Sequence, residues 1–408
     1  MTAQSEKDKS IIPVSTLNIA RVENSVRILN KILYGSISDL FNQAFCKLNS
    51  KQALSVDTDY LYLLETNPSH RKYAEYNYIA NNDDDYREAL VLFNEVIKIK
   101  SKHVLSIKMG ANCKVRLGNY YEAIEDYSKA IEIDPKDAFA YHNRGKTKAD
   151  LKDYQGAIED YSKAIEINPK YANAYNSRGK VKHNLIDYQG AIEDYSKAIE
   201  IDPKHADAYY SRGIAKNELK DYQSAIEDYS KALEIDPNNY YAYINSGNVK
   251  HNLKDYQGAI EDYSKAFEID PNNSITYINR GNVKAHLKDY EGAIEDYSKA
   301  IEIDPKHANT YYYRGAKKGL LKDYQGAIKD FSKAIEIDPK YANAYYIRGI
   351  TKNNLKDHQG AIDDYSKAIE INPKDADAYY SRGLAKENIG DTEGAKKDRE
   401  MYDNLKND

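Results

Sequence analysis

Eight of the ten prolines stand at 135, 169, 203, 237, 271, 305, 339 and 373, each 34 residues after the last. A chain punctuated in this way repeats one small unit, and the period constrains its architecture before any single motif does. Counting each proline as position 32 sets the frame 104–137, 138–171, 172–205, 206–239, 240–273, 274–307, 308–341 and 342–375. A further unit, 376–408, stops one residue short of the frame. Residues 70–103 fit it backwards through Tyr73, Tyr86, Ala89 and Phe93, as a divergent first unit. About ten units therefore follow a different N-terminal stretch, residues 1–69.

Each unit reads as two helices. In 172–205 the first is ANAYNSRGKVKHNL and the second runs through YQGAIEDYSKAIEI. Ala191, Ile192, Tyr195, Ala198 and Ile199 recur at the three-and-four spacing of one helical face. Asp187 is placed to cap the second helix, and Asp202-Pro203 ends it, because a residue before proline is pushed out of helical geometry. A pair of helices this short cannot bury its apolar face alone, so neighbouring pairs must stack. Glycine at position 8 (Gly145, Gly179, Gly213, Gly247, Gly281, Gly315, Gly349, Gly383) costs ~1 kcal/mol relative to alanine inside a helix. Such a repeated cost makes sense where backbones approach closely. Alanines at positions 20 and 27 fit the same requirement, and rings at positions 4, 17 and 24, as in Tyr175, Tyr188 and Tyr195, fill the space around them.

This pattern of aromatic 4, Gly 8, Ala 20, aromatic 24, Ala 27 and Pro 32 resembles the tetratricopeptide repeat, over roughly residues 70–408. The resemblance implies an all-α fold, a right-handed α-solenoid superhelix of helix–turn–helix repeats, with first helices lining a concave groove that binds peptides or partner proteins. Two departures stand out. Position 4 carries Tyr where the family usually has Trp. Positions 7 and 11, usually Leu and Tyr, carry Arg (Arg144, Arg178, Arg212, Arg280, Arg314, Arg348, Arg382) and Lys (Lys148, Lys182, Lys216, Lys250, Lys284, Lys318, Lys352, Lys386).

Composition closes off other classes. Lys and Arg number 59 against 64 Asp and Glu, a net charge of −5, which argues against general nucleic-acid binding. No run of 18 apolar residues occurs, so no transmembrane helix is expected. The N-terminus MTAQSEKDKSIIPVSTLNIA lacks a secretory apolar core, and Cys46 and Cys113 are too few for a disulfide or zinc framework. A cytoplasmic protein without cofactor or metal is the expectation. The 40 tyrosines suggest a stacking surface for bases or sugars until the register sorts them: 24 fall at positions 4, 17 and 24 and belong to the scaffold.

Residues 1–69 form their own segment. Ile19, Val22, Val26, Leu29 and Leu33 share one helical stripe, and Ile37, Leu40, Phe41, Ala44, Phe45 and Leu48 suggest a second helix after Gly35. The expectation is a helical cap on the first repeat. Alternatives are self-association through 19–33, partner binding, or a DNA-reading regulator, which seven bases against seven acids in this segment do not favour. At the other end, 376–408 reads as a capping repeat, with Arg399 at position 24 and Tyr402 at position 27.

Two readings compete for the basic ladder. Arg178 and Lys182 lie on one helical stripe and could form a cationic rail for an acidic ligand. They could instead pair with Glu193 and Asp194 of the second helix, as others would with Glu227 and Asp228 or Glu261 and Asp262. Unit 172–205 balances five bases with five acids, which favours pairing; an exposed pair contributes only ~0–1 kcal/mol. Relatives that bind acidic chaperone tails carry Lys at position 5. Here that position is His142, Asn176, Tyr210, Ile244, Ile278, Tyr312, Tyr346 or Tyr380, so such tails are not the expected ligand.

In the family, positions 2, 5, 9, 12 and 13 face the groove. They are polar or basic in the first regular repeats (His142, Lys146, Asp150, Asn173, Asn176, Lys180, His183). From 206 onward they turn apolar: Tyr210, Ile214, Tyr241, Ile244, Ile275, Ile278, Tyr312, Leu320, Tyr346, Ile350, Tyr380 and Leu384, with Asn248, His251, Asn252, Asn282 and His286 between them. Rings and branched chains with a few amides suit an extended or helical peptide. The competing reading is that these side chains only thicken the inner wall.

Catalytic signals are absent. Gly145-Lys146-Thr147 matches the end of a phosphate-binding loop, but Ala140 occupies its first glycine and the segment lies within a helix. His251 and His286 sit on adjacent units without a third metal ligand, and Asp83-Asp84-Asp85 lacks the glycine and distal Glu of a calcium loop. The expected function is a non-catalytic scaffold that binds a peptide or partner protein, neither nucleic acid nor membrane. The alternative is a regulatory subunit or peptide-sensing regulator acting through residues 1–69.

Overall fold

The computed structural model describes residues 49–50, 78–79, 83–99 and 101–407, and the chain divides into two compact bodies, 1–203 and 204–408. The described residues hold nineteen helices. From Val104 onward they alternate as a first helix of 13 residues and a second of 14, exemplified by Ala172–Asn184 and Tyr188–Ile201. The last second helix is longer, Thr392–Asn407. Within each body helices pack against their sequence neighbours, and first helices also touch first helices, as Tyr240–Asn252 touches Ala206–Glu218 and Ser274–His286. The all-α solenoid of stacked helical hairpins is the observed architecture.

Short-range chemistry sets the boundaries. Asp187 caps the second helix, its Oδ1 accepting from the Gly190 amide at 3.0 Å, as Asp153, Asp255 and Asp289 do in their units. At the far end Asp202 leaves helical geometry (φ −126, ψ 94) while its amide still bonds the Ala198 carbonyl at 2.8 Å. The hairpin turn holds a feature absent from the sequence expectations. Position 15 is left-handed in every interior unit, with φ of 63 to 66 at Lys152, Ile186, Lys220, Lys254, Lys288, Lys322 and Lys356. That conformation costs non-glycine residues roughly 1–2 kcal/mol. It persists because the next amide closes the helix end, as Asp187 N does on the Lys182 carbonyl at 2.9 Å.

The core is the expected set of small residues and rings. Ala225, Tyr229 and Ala232 are fully buried, and a Cβ on Gly213 would lie 2.7 Å from Tyr229 Cε1. Position 8 is glycine because the ring of position 24 occupies the space of a methyl group. Burial raises the pKa of the Tyr229, Tyr263, Tyr297 and Tyr365 phenols, so they stay neutral. The buried Cys113 thiol is pushed up to about 12 by desolvation, which makes it inert at neutral pH.

Unit 70–103 keeps its second helix, Asp83–Ile99, with Ala89 and Phe93 fully buried, but Tyr78–Ile79 forms a short strand antiparallel to Asn49–Ser50. The first helix expected for this unit therefore does not run through 78–79. The stripe Ile19–Leu33, the helix expected through Leu48, Cys46 and the proposed self-association lie outside the described residues. No helix among the described residues is long and apolar enough to cross a membrane.

Candidate functional site

The basic ladder resolves into structure. Arg178 donates from Nε and Nη2 to both oxygens of Asp194, at 2.9 and 2.7 Å, and Lys182 Nζ lies 2.8 Å from the same carboxylate. Arg178 Nη1 reaches back 3.0 Å to Ser162 Oγ of the preceding unit. Arg280 repeats this on Asp296 and Ser264, and Arg348 on Asp364 and Ser332. Each guanidinium also lies over the ring at position 4 of its own helix, as Arg348 does 5.5 Å from the Tyr345 centroid. The arginine thus binds two helices and the preceding unit together. The sequence expectation is corrected in two respects. The acceptor is the aspartate of each Glu-Asp pair, while Glu193, Glu227 and Glu261 are exposed. The aspartate is also buried, Asp194 at 3 % exposure, so the estimate for an exposed pair does not apply. Removing one partner from such a buried cluster costs about 3–5 kcal/mol.

The predicted groove residues all lie in the second body and separate into two groups. Tyr210, Tyr312 and Tyr346 stand over the buried rings of position 24, with centroids 6.1 Å from Tyr229, 5.9 Å from Phe331 and 5.8 Å from Tyr365. Ile214 packs on the Tyr229 cluster and Ile350 on the Tyr365 cluster, while Ile278 is itself buried with Ala293 and Tyr297. Ile244 is half-buried. These side chains thicken the wall. Tyr241, Ile275 and Leu320 are instead 56 %, 59 % and 57 % exposed, and Tyr380 and Leu384 join them.

The polar members are oriented by the core beneath them. Asn248 Oδ1 accepts from Tyr263 Oη at 2.7 Å and from Asn279 Nδ2 at 3.1 Å; Asn282 Oδ1 accepts from Tyr297 Oη at 2.8 Å. Each amide oxygen is taken up by a phenol of the core, which leaves its Nδ2 group as the donor for other partners. Asn252 is exposed. His251 and His286 lie 5.1 Å apart, and Tyr256 stacks on His286 at 5.6 Å with planes 5° apart. Burial, then the neighbouring His286, hold the His251 pKa below its usual value. Among the described residues no three His, Cys, Asp or Glu gather as a metal site.

Sequence reasoning missed two contributors. Asn245 at position 6 donates 3.1 Å to Tyr210 Oη, and Tyr240 lies against Tyr241 with centroids 4.0 Å apart. The variability of position 6 and the Tyr240-Tyr241 doublet were the available signals.

A tetratricopeptide repeat model matches residues 206–239, 240–273, 274–307 and 308–341. A second TPR repeat model matches 112–151, 147–185, 187–219 and 353–390, and together the two cover about two thirds of the chain. Among solved structures, MamA matches at 32 % identity over 41 % of this chain and 92 % of its own, with a TM-score of 0.40. YrrB, described as a TPR protein with an unusual peptide-binding site, matches at 27 % identity over 46 % of this chain and 96 % of its own, with a TM-score of 0.42. PilF of Pseudomonas aeruginosa matches at 20 % identity over 50 % of this chain and 92 % of its own, with a TM-score of 0.44. No curated protein matches the chain.

Proposed function

This chain belongs to the tetratricopeptide repeat family, and on that premise we propose that it is a non-catalytic scaffold that binds a peptide or partner protein along the first helices of residues 206–388. The observation that carries this reading is the split among the groove positions. The rings of position 24 are buried, yet Tyr241, Ile275, Leu320, Tyr380 and Leu384 stand exposed on first helices. Exposed rings and aliphatic chains supply apolar anchors, and the Nδ2 groups of Asn248 and Asn282 supply donors for a guest backbone. The Arg and Lys ladder is occupied by aspartates, so the guest is held mainly by apolar contact and amide hydrogen bonds.

A triple alanine variant at Tyr241, Ile275 and Tyr380 tests this without touching the wall. Peptides selected from a displayed library against the native chain are expected to lose at least tenfold in affinity for the variant, as about 1.4 kcal/mol or more of anchor contact is removed. Far-UV circular dichroism should not change. Equal affinity for the variant would remove these anchors from the account.

A further inference from the structure

Unit 240–273 breaks the ladder. Position 7 is arginine in the seven units from 138–171 to 376–407 other than this one; here it is Ser246. Those arginines place Nε and Nη2 on both oxygens of the aspartate at 2.6–2.9 Å. Asp262, the equivalent carboxylate, has only Lys250, whose Nζ lies 2.7 Å from Oδ2 at an angle that makes no hydrogen bond. Asp262 is still 9 % exposed, against 3 % for Asp228 and Asp296 on either side in sequence.

The other two partners of the missing guanidinium are also in place. Ser230 occupies the position of Ser264, Ser298, Ser332 and Ser366, which each accept from an arginine; those four are half-buried, and Ser230 is exposed. Tyr243 supplies the ring on which the arginine of other units lies, and no cation covers it among the described residues. Ser230, where the guanidinium tips of the other units lie, is thus left open to solvent. Unit 104–137 also lacks the arginine, having Gly110 at position 7, but there Lys129 takes the second oxygen of Asp126 at 3.1 Å beside Lys114. Only Asp262 is left half-satisfied among the described units.

We propose that Asp262, Ser230 and Tyr243 form a guanidinium-binding site, filled by an arginine side chain or a small guanidinium compound from outside the chain. The geometry selects guanidinium over ammonium. A planar fork meets both carboxylate oxygens and stacks on a ring, whereas the single-point ammonium position is already held by Lys250. The site is independent of the apolar anchors.

Calorimetric titration of the full chain tests it, using acetyl-Gly-Arg-Gly-amide, its lysine counterpart and free guanidinium ion. The arginine peptide should bind saturably, one per chain, at least tenfold tighter than the lysine peptide. A Ser246→Arg variant, which copies the neighbouring units and so folds, should abolish that binding. An arginine peptide tenfold tighter than guanidinium ion assigns the site to an arginine of a polypeptide; equal affinities assign it to a small guanidinium compound. Unchanged binding by Ser246→Arg, equal binding of the lysine peptide, or no saturable binding would overturn the proposal.

Discussion

The last repeat, 376–407, and its neighbour 342–375 share a charge system and differ in their packing. In both, arginine and lysine converge on a buried aspartate: Arg348 and Lys352 on Asp364, Arg382 and Lys386 on Asp398. The ring system is kept only in the interior unit. Gly349 lies under Tyr365, where a Cβ would come within 2.7 Å of the ring, whereas at Gly383 the nearest atom would be 3.4 Å away. Arg399 replaces the ring, and Tyr402 packs instead beside Tyr380 at 5.1 Å. The two systems are therefore separable. The charges join the helices within a hairpin and reach back to the preceding unit, while ring and glycine set how closely the hairpin itself closes.

Four substitutions test that separation. The largest effect is expected from Arg348→Ala, which leaves Asp364 buried with Lys352 alone and should cost about 3–5 kcal/mol in urea denaturation. Arg382→Ala should weaken the last repeat comparably, read as faster amide exchange across 376–407. A large loss in one variant without the other would couple the charges to the ring after all. Next, Gly349→Ala should cost about 1–3 kcal/mol through overpacking against Tyr365. Gly383→Ala, in ordinary contact distance, should be neutral or gain up to about 1 kcal/mol from helix propensity. A loss at both positions would end the distinction.

The smallest effect concerns acid. Burial alone would raise the Asp398 pKa, but hydrogen bonds from Arg382 and Lys386, and then their charges, outweigh it and hold it below the usual carboxylate range. A depressed pKa means stability that is present above the unfolded value of about 3.9 and lost as pH falls through the folded value. Amide exchange in 376–407 should therefore accelerate below about pH 4. Asp398→Asn should flatten that dependence; an unchanged acid profile would place the sensitivity elsewhere.

Much of the scaffold was legible because its signals are local and repeated. The proline register, the Asp187-type caps and the burial of Ala191, Tyr195 and Ala198 each depend on residues within one unit. The pairing of the ladder was half legible. Charge balance pointed to ion pairs, but the choice of Asp194 over Glu193 depends on which way the second helix turns its face toward the first. The candidate groove was least legible. Tyr210 and Tyr241 are the same residue type at expected groove positions, yet one covers Tyr229 and the other stands in solvent.

The sequence by itself determined the period, the helix pairs, the scaffold role of most tyrosines and the family. Those follow from spacing, which any one unit carries in full. Tertiary structure alone decided the left-handed turn at Lys152 or Ile186, which groove-position side chains reach solvent, and the half-satisfied carboxylate of Asp262. Each of these depends on what the neighbouring helix places opposite, and a substitution such as Ser246 alters a partner 16 residues away without changing the pattern around itself.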